Sequence, residues 1–74
     1  RGNDAGVIAP LPLTIQDKKF TWPYQYITGA ELKKLGGLSP DQKLYLSLAD
    51  PYDDEVIAND QQVNLARPGI ERFY

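Results

Sequence analysis

The side chains that most often carry catalysis near neutral pH are missing from this chain, which has no histidine and no cysteine in its 74 residues. Imidazole acid–base chemistry, a thiol nucleophile and a thiolate zinc site are therefore excluded. Two serines remain, Ser39 beside a proline and Ser47 inside an alternating run, and neither has a base nearby in sequence to activate it. The acidic group Asp50, Asp53, Asp54 and Glu55 suggests calcium, but it lacks the alternating ligands, central glycine and distant glutamate of an EF-hand loop. A solvated loop with no metal is the expectation. Gly36-Gly37 lies after a periodic segment, whereas a phosphate-cradling loop precedes a helix. The chain is expected to be no enzyme and to bind no cofactor. What remains is recognition chemistry. Tyr45, with Lys43 on the same side of an alternating run, and the closing residues Arg72, Phe73 and Tyr74 are the partner-binding candidates. For Phe73, insertion into the domain's own core rim is the expectation and presentation to a partner the alternative.

Those residues need a scaffold, and the composition limits what it can be. A chain of this length buries only about 60% of the surface it exposes when unfolded, and no disulfide is available to reinforce it. A hydrophobic fraction of 42% with mixed charge suits a globular domain. A net charge of −2 argues against the basic footprint of a nucleic-acid binder. No apolar run approaches the roughly 20 residues of a membrane span, and the first residues lack the apolar core of a signal peptide. The sequence opens at Arg1 without a methionine, as expected of a trimmed chain. The lack of cysteine is compatible with a cytoplasmic location, which is the expectation.

The most informative stretch runs from Ile27 to Gly37. Thr28 followed three places later by Glu31 is a capping box, and Ile27 is placed to staple onto Leu32. Lys33 and Lys34 suit the negative end of the helix dipole, and Gly36-Gly37 offers the left-handed turn that ends the helix. Two turns are not stable alone, so Leu32 and Leu35 must press on a sheet formed by the flanking segments. Residues 1–12, rich in glycine and proline, read as an arm or linker, with docking of Val7, Ile8 and Leu11 on the domain as the alternative. Residues 13–74 read as the domain. Leu13–Gln16 and Phe20–Tyr24 alternate apolar with polar residues and read as a hairpin around a polar Asp17-Lys18-Lys19 turn, with Phe20, Trp22 and Tyr24 on one face. Pro23 places the second strand at an edge or at its end. Ser39 is expected to cap a single turn with Pro40 at its first position.

Lys43–Leu48 is the clearest strand, with Leu44, Leu46 and Leu48 inward and Lys43, Tyr45 and Ser47 outward. Glu55–Ile57 follows as a short strand, Val63 and Leu65 plug inward, and Ile70–Tyr74 forms the last strand. Strict alternation there puts Ile70 and the stem of Arg72 on one face, and Glu71 and Phe73 on the other. The order strand, strand, helix, strand, short strand, strand predicts an α+β fold of β-grasp type, with the first strand pairing with the last, which lies centrally. An α+β sandwich of other topology also fits the pattern.

The runs Ile27-Thr28-Gly29-Ala30-Glu31-Leu32, Gly37-Leu38-Ser39-Pro40, Val63-Asn64-Leu65 and Pro68-Gly69-Ile70-Glu71-Arg72-Phe73, in this order and spacing, resemble the bacterial multiubiquitin domain family. Pro40-Asp41-Gln42-Lys43-Leu44 is similar to the segment of ubiquitin that leads into its third strand. The resemblance covers Leu13 to Tyr74. It implies a ubiquitin-like protein modifier whose C-terminal carboxylate is adenylated by an activating enzyme, passed to a conjugating enzyme and joined to target proteins, after trimming by a peptidase. ATP would belong to the activating enzyme. The conjugation terminus would be Tyr74 or a residue beyond it. Ubiquitin ends in two glycines, whose bare backbone threads a narrow channel, and this sequence departs from that with Phe73-Tyr74. A non-covalent interaction or scaffold domain is the alternative. The resemblance also suggests lysines 18, 19, 33, 34 and 43 as acceptors of further modifiers, although ordinary solvated surface is the expectation for each.

Overall fold

The computed structural model describes residues 10–74, so the expectation for residues 1–9 lies outside the described part. The strands and helix are β1 (Leu11–Ile15), β2 (Lys18–Trp22), β3 (Tyr26–Thr28), α1 (Gly29–Gly36), β4 (Leu44–Leu48), β5 (Glu55–Ile57), β6 (Gln62–Asn64) and β7 (Ile70–Phe73). Five strands form one sheet in the order β2-β1-β7-β4-β5, and β3 pairs with β6 in a separate ribbon. β1 runs parallel to β7, joined at Ile15 and Phe73, and the other neighbours in the sheet are antiparallel. This is an α+β fold of β-grasp type, with the last strand in the centre as the sequence predicts.

β1 begins at Leu11, two residues earlier than the expected domain start, and it contains Pro12. The proline is tolerated because of the register. Ile15 and Lys18 flank a two-residue turn, so they form a hydrogen-bonded pair, and alternation makes Pro12–Thr21 a non-bonded one. β7 pairs with β1 only at Ile15, so no strand asks Pro12 for a donor. The turn itself is Gln16-Asp17 rather than Asp17-Lys18-Lys19. Both residues have positive φ, 49° and 69°, the conformation of a type I′ hairpin turn. β2 is an edge strand and stops at Trp22, before Pro23. Phe20 and Trp22 pack against the core, while Tyr24 stands exposed and meets the Trp22 ring edge-on at 6.0 Å.

The helix is fixed by the devices its sequence announces. The Glu31 amide donates to Thr28 Oγ1 at 3.1 Å, and Glu31 Oε1 accepts from the Thr28 amide at 2.9 Å. Two further amides at this end, of Gly29 and Ala30, donate to the carbonyls of Gln61 and Asn59. That close approach is why residue 29 is glycine: a Cβ there would lie 2.1 Å from the Ala58 carbonyl oxygen. At the other end only Gly37 takes the left-handed conformation, with φ 74°. Gly36 serves a different purpose, since it is the last helical residue and a Cβ on it would meet Ile15 Cγ2 at 2.7 Å. Helix and sheet can therefore touch. Leu32 and Ile27 join Leu13, Ile15, Leu44, Leu46, Leu48, Ile57, Val63 and Phe73 in one core, and Leu35 packs at its margin.

Two expectations fail for reasons outside the local pattern. β3 and β6 were not predicted as strands, because three residues each are too few for alternation to register. Lys33 is not solvated surface but 6% exposed. Its Nζ donates to Asn59 Oδ1 at 2.6 Å and to the Pro40 carbonyl at 2.9 Å. Asn59 also donates to Pro40 O, so Lys33 knots the helix to two loops. Ser39 does organise a single turn: its carbonyl accepts from the Gln42 amide, and Gln42 Oε1 accepts from the Ser39 amide.

Candidate functional site

The outward face of β4 carries Tyr45 and Ser47, because Leu44, Leu46 and Leu48 occupy the inward positions. On one side, β5 sets Val56 opposite Tyr45, leaving it 58% exposed. On the other, β7 sets Arg72 opposite Ser47. Tyr74 extends β7 by one residue. Its amide donates to the Tyr45 carbonyl at 2.9 Å, and its carbonyl accepts from the Tyr45 amide at 2.7 Å. The two rings stack with centroids 5.4 Å apart and planes 24° from parallel, and the Arg72 guanidinium sits 5.1 Å from the Tyr74 centroid. The Tyr74 hydroxyl donates to Asp54 Oδ2. That bond to a carboxylate, with some loss of hydration, holds the phenol above its ordinary pKa. The result is a flat aromatic patch rimmed by one guanidinium and one carboxylate, with Tyr74 still 36% exposed.

Three of the four partner-binding candidates are thus brought together, with Tyr45 and Arg72 each in contact with Tyr74. The fourth is elsewhere. Phe73 is fully buried, at 0% exposure, and presents no side chain to a partner. A bulge causes the difference. Ser47 pairs with Arg72 but Leu48 pairs with Ile70, so Glu71 is the extra residue and the alternation slips by one. Ile70 and Phe73 then both turn to the core, which strict alternation along Ile70–Tyr74 forbids. Glu71 lies outward and accepts a hydrogen bond from Ser47 Oγ at 3.0 Å. Lys43, expected beside Tyr45, lies just before β4.

Sequence reasoning missed Asp54 and Val56 as members of the patch. Their only signal is the β4–β5 register, which depends on the loop between them. The acidic loop residues Asp50, Asp53 and Asp54 are exposed, as expected of a solvated loop, while Glu55 lies in β5. Glu55 accepts two bonds from Arg67, both at 3.1 Å, and the pairing holds its carboxyl below the usual carboxylate range. Among the described residues no group of three or more acidic, histidine or cysteine side chains is arranged to hold a metal ion. No helix among them is long and apolar enough to cross a membrane.

The strand order and the single helix define a domain of β-grasp type. The multiubiquitin family model matches residues 12–74, and the chain belongs to that family. Comparison of the chain with curated proteins and with solved structures gives no significant match.

Proposed function

We propose that this domain is a ubiquitin-like protein modifier of a bacterial, cytoplasmic conjugation pathway, activated at its C-terminal end and joined to target proteins after peptidase trimming. The observation that carries the reading is the multiubiquitin match over nearly all of the β-grasp domain. It is supported by the delivery of Tyr74 from the central strand to the surface beside an aromatic patch. In this reading the chain acts as the substrate of its enzymes, and the catalytic groups and the ATP site are theirs. The chain's carboxylate attacks the α-phosphate of ATP on the activating enzyme and pyrophosphate leaves. An enzyme nucleophile then takes the acyl group with release of AMP, and the acyl group passes through the conjugating enzyme to the target. The test is incubation with ATP and the cognate activating enzyme, followed by intact-mass measurement. A covalent adduct that needs ATP and is lost when the C-terminal residues are removed is the expected result. Binding without any such adduct counts against it.

A second reading, a non-covalent interaction domain, draws on a different observation: the Tyr74 main chain is paired to Tyr45 and its ring is part of the exposed patch. In that case Tyr45→Ala abolishes partner binding whether or not ATP is present.

A further inference from the structure

Tyr74 belongs to two assemblies at once. Its ring is the centre of the outer patch, stacked on Tyr45, faced by Arg72 and tied through its hydroxyl to Asp54. Its main chain is the outlet of β7, pinned on both its amide and its carbonyl by Tyr45. These two uses conflict. With one oxygen of the Tyr74 carboxylate held in the ladder, the β4 strand lies along the side from which an enzyme must enclose the chain end. An extended segment entering an active-site channel also needs its own backbone donors and acceptors available to that channel. Enclosure of the extended Tyr74 end in a channel, as reaction at its carboxylate demands, therefore requires Tyr74 to leave Tyr45. Leaving breaks both main-chain bonds, the stack and the Asp54 bond together, because all four involve the same residue.

We propose that Tyr74 is a latch with two mutually exclusive states: seated on Tyr45 it completes the outer docking face, and lifted it offers its carboxylate to an enclosing channel while dismantling that face. The proposal rests on reading Tyr74 as the attachment point. Its consequence is an ordering of partners. A protein that binds the seated Tyr45–Tyr74–Val56 patch holds the latch closed and slows reaction at the end, and by reciprocity a protein holding the end weakens the patch. An activating enzyme must then grip the domain elsewhere, or take the Tyr74 ring into a pocket of its own.

Amide hydrogen exchange followed by NMR tests this without any partner. The Tyr45 and Tyr74 amides should show equal protection after correction for their intrinsic rates, since one opening releases both. The Gln16 amide, which donates to the Phe73 carbonyl, should stay more protected. Tyr45→Ala should speed exchange at both latch amides by about tenfold, the loss of one stacked pair. Asp54→Ala should do so by roughly threefold, and neither variant should change Gln16. With the activating enzyme, Asp54→Ala should form adduct faster by the same factor. Free-peptide exchange at Tyr74, or protection equal to that of Gln16 and unmoved by both variants, overturns the latch. Failure of the adduct alone, with exchange as expected, overturns the modifier reading and leaves the two-state strand end standing.

Discussion

On the inner face of the sheet, Ile15, Leu44, Leu46 and Phe73 meet Leu32 and Ile27 with almost no exposed surface. On the outer face, Tyr45 and Tyr74 meet each other, Arg72 and Asp54 through contacts open to solvent. The inner contacts are fixed by volume: a methyl group added at Gly29 strikes a carbonyl, and one added at Gly36 strikes Ile15. The outer contacts are fixed by direction, through hydrogen bonds and ring stacking that water and a partner can replace. Neighbouring residues, Phe73 and Tyr74, fall on opposite sides of this division. A small domain can therefore change its outer face without unfolding, whereas its inner face tolerates little.

Substitution of these two neighbours should give the largest contrast. Phe73→Ala removes a fully buried ring and should cost about 4 kcal/mol, in urea unfolding, relative to wild type. That is a large part of the roughly 4–11 kcal/mol expected for a domain of this size, so the variant should be largely unfolded at modest urea. Tyr45→Ala should cost less than about 1.5 kcal/mol, chiefly the stack, while changing partner binding. Equal losses for the two would erase the distinction between the faces.

Lys33 tests whether the inner face also holds polar contacts by shape. Lys33→Met keeps the stem but leaves Asn59 Oδ1 without its donor, and should cost about 1–3 kcal/mol by the same measurement. A neutral result would mean that water replaces the ammonium. At the hairpin, Gln16→Asn should raise stability by about 0.5 kcal/mol, because asparagine tolerates the positive φ that glutamine is forced into. An unchanged thermal midpoint would contradict that account of the turn.

The smallest effect should come from the bidentate pair of Glu55 and Arg67. Arg67 lowers the Glu55 pKa, so the pair's contribution is present above the ordinary carboxylate pKa and is lost as pH falls through the lowered value. Thermal midpoints of wild type and Arg67→Gln should thus differ slightly at neutral pH and converge in acid. Both groups are partly solvated, so a large difference would be unexpected.

What could be read from the chain follows the same division between local and remote causes. The capping box, the Gly37 terminus and the alternation of Leu44, Leu46 and Leu48 involve neighbours a few places apart, and each stands as the sequence predicts. Core packing of Phe73 is as its residue type predicts, but that Ile70 shares its side was not legible, because the bulge at Glu71 is set by pairing with β4. The burial of Lys33 depends on Pro40 and Asn59, which nothing near the helix announces. In the candidate site, Tyr45, Arg72 and Tyr74 were visible as exposed residue types, but their contact, and the part of Val56 and Asp54, needed the register.

ATP–pyrophosphate exchange on the activating enzyme is the most direct measurement of the central claim, since it reports formation of the acyl-adenylate and nothing later. Label should return to ATP only when this domain is present, and the exchange should vanish when its C-terminal carboxyl is amidated. Exchange that ignores the domain, or that persists with the amidated end, would contradict the account.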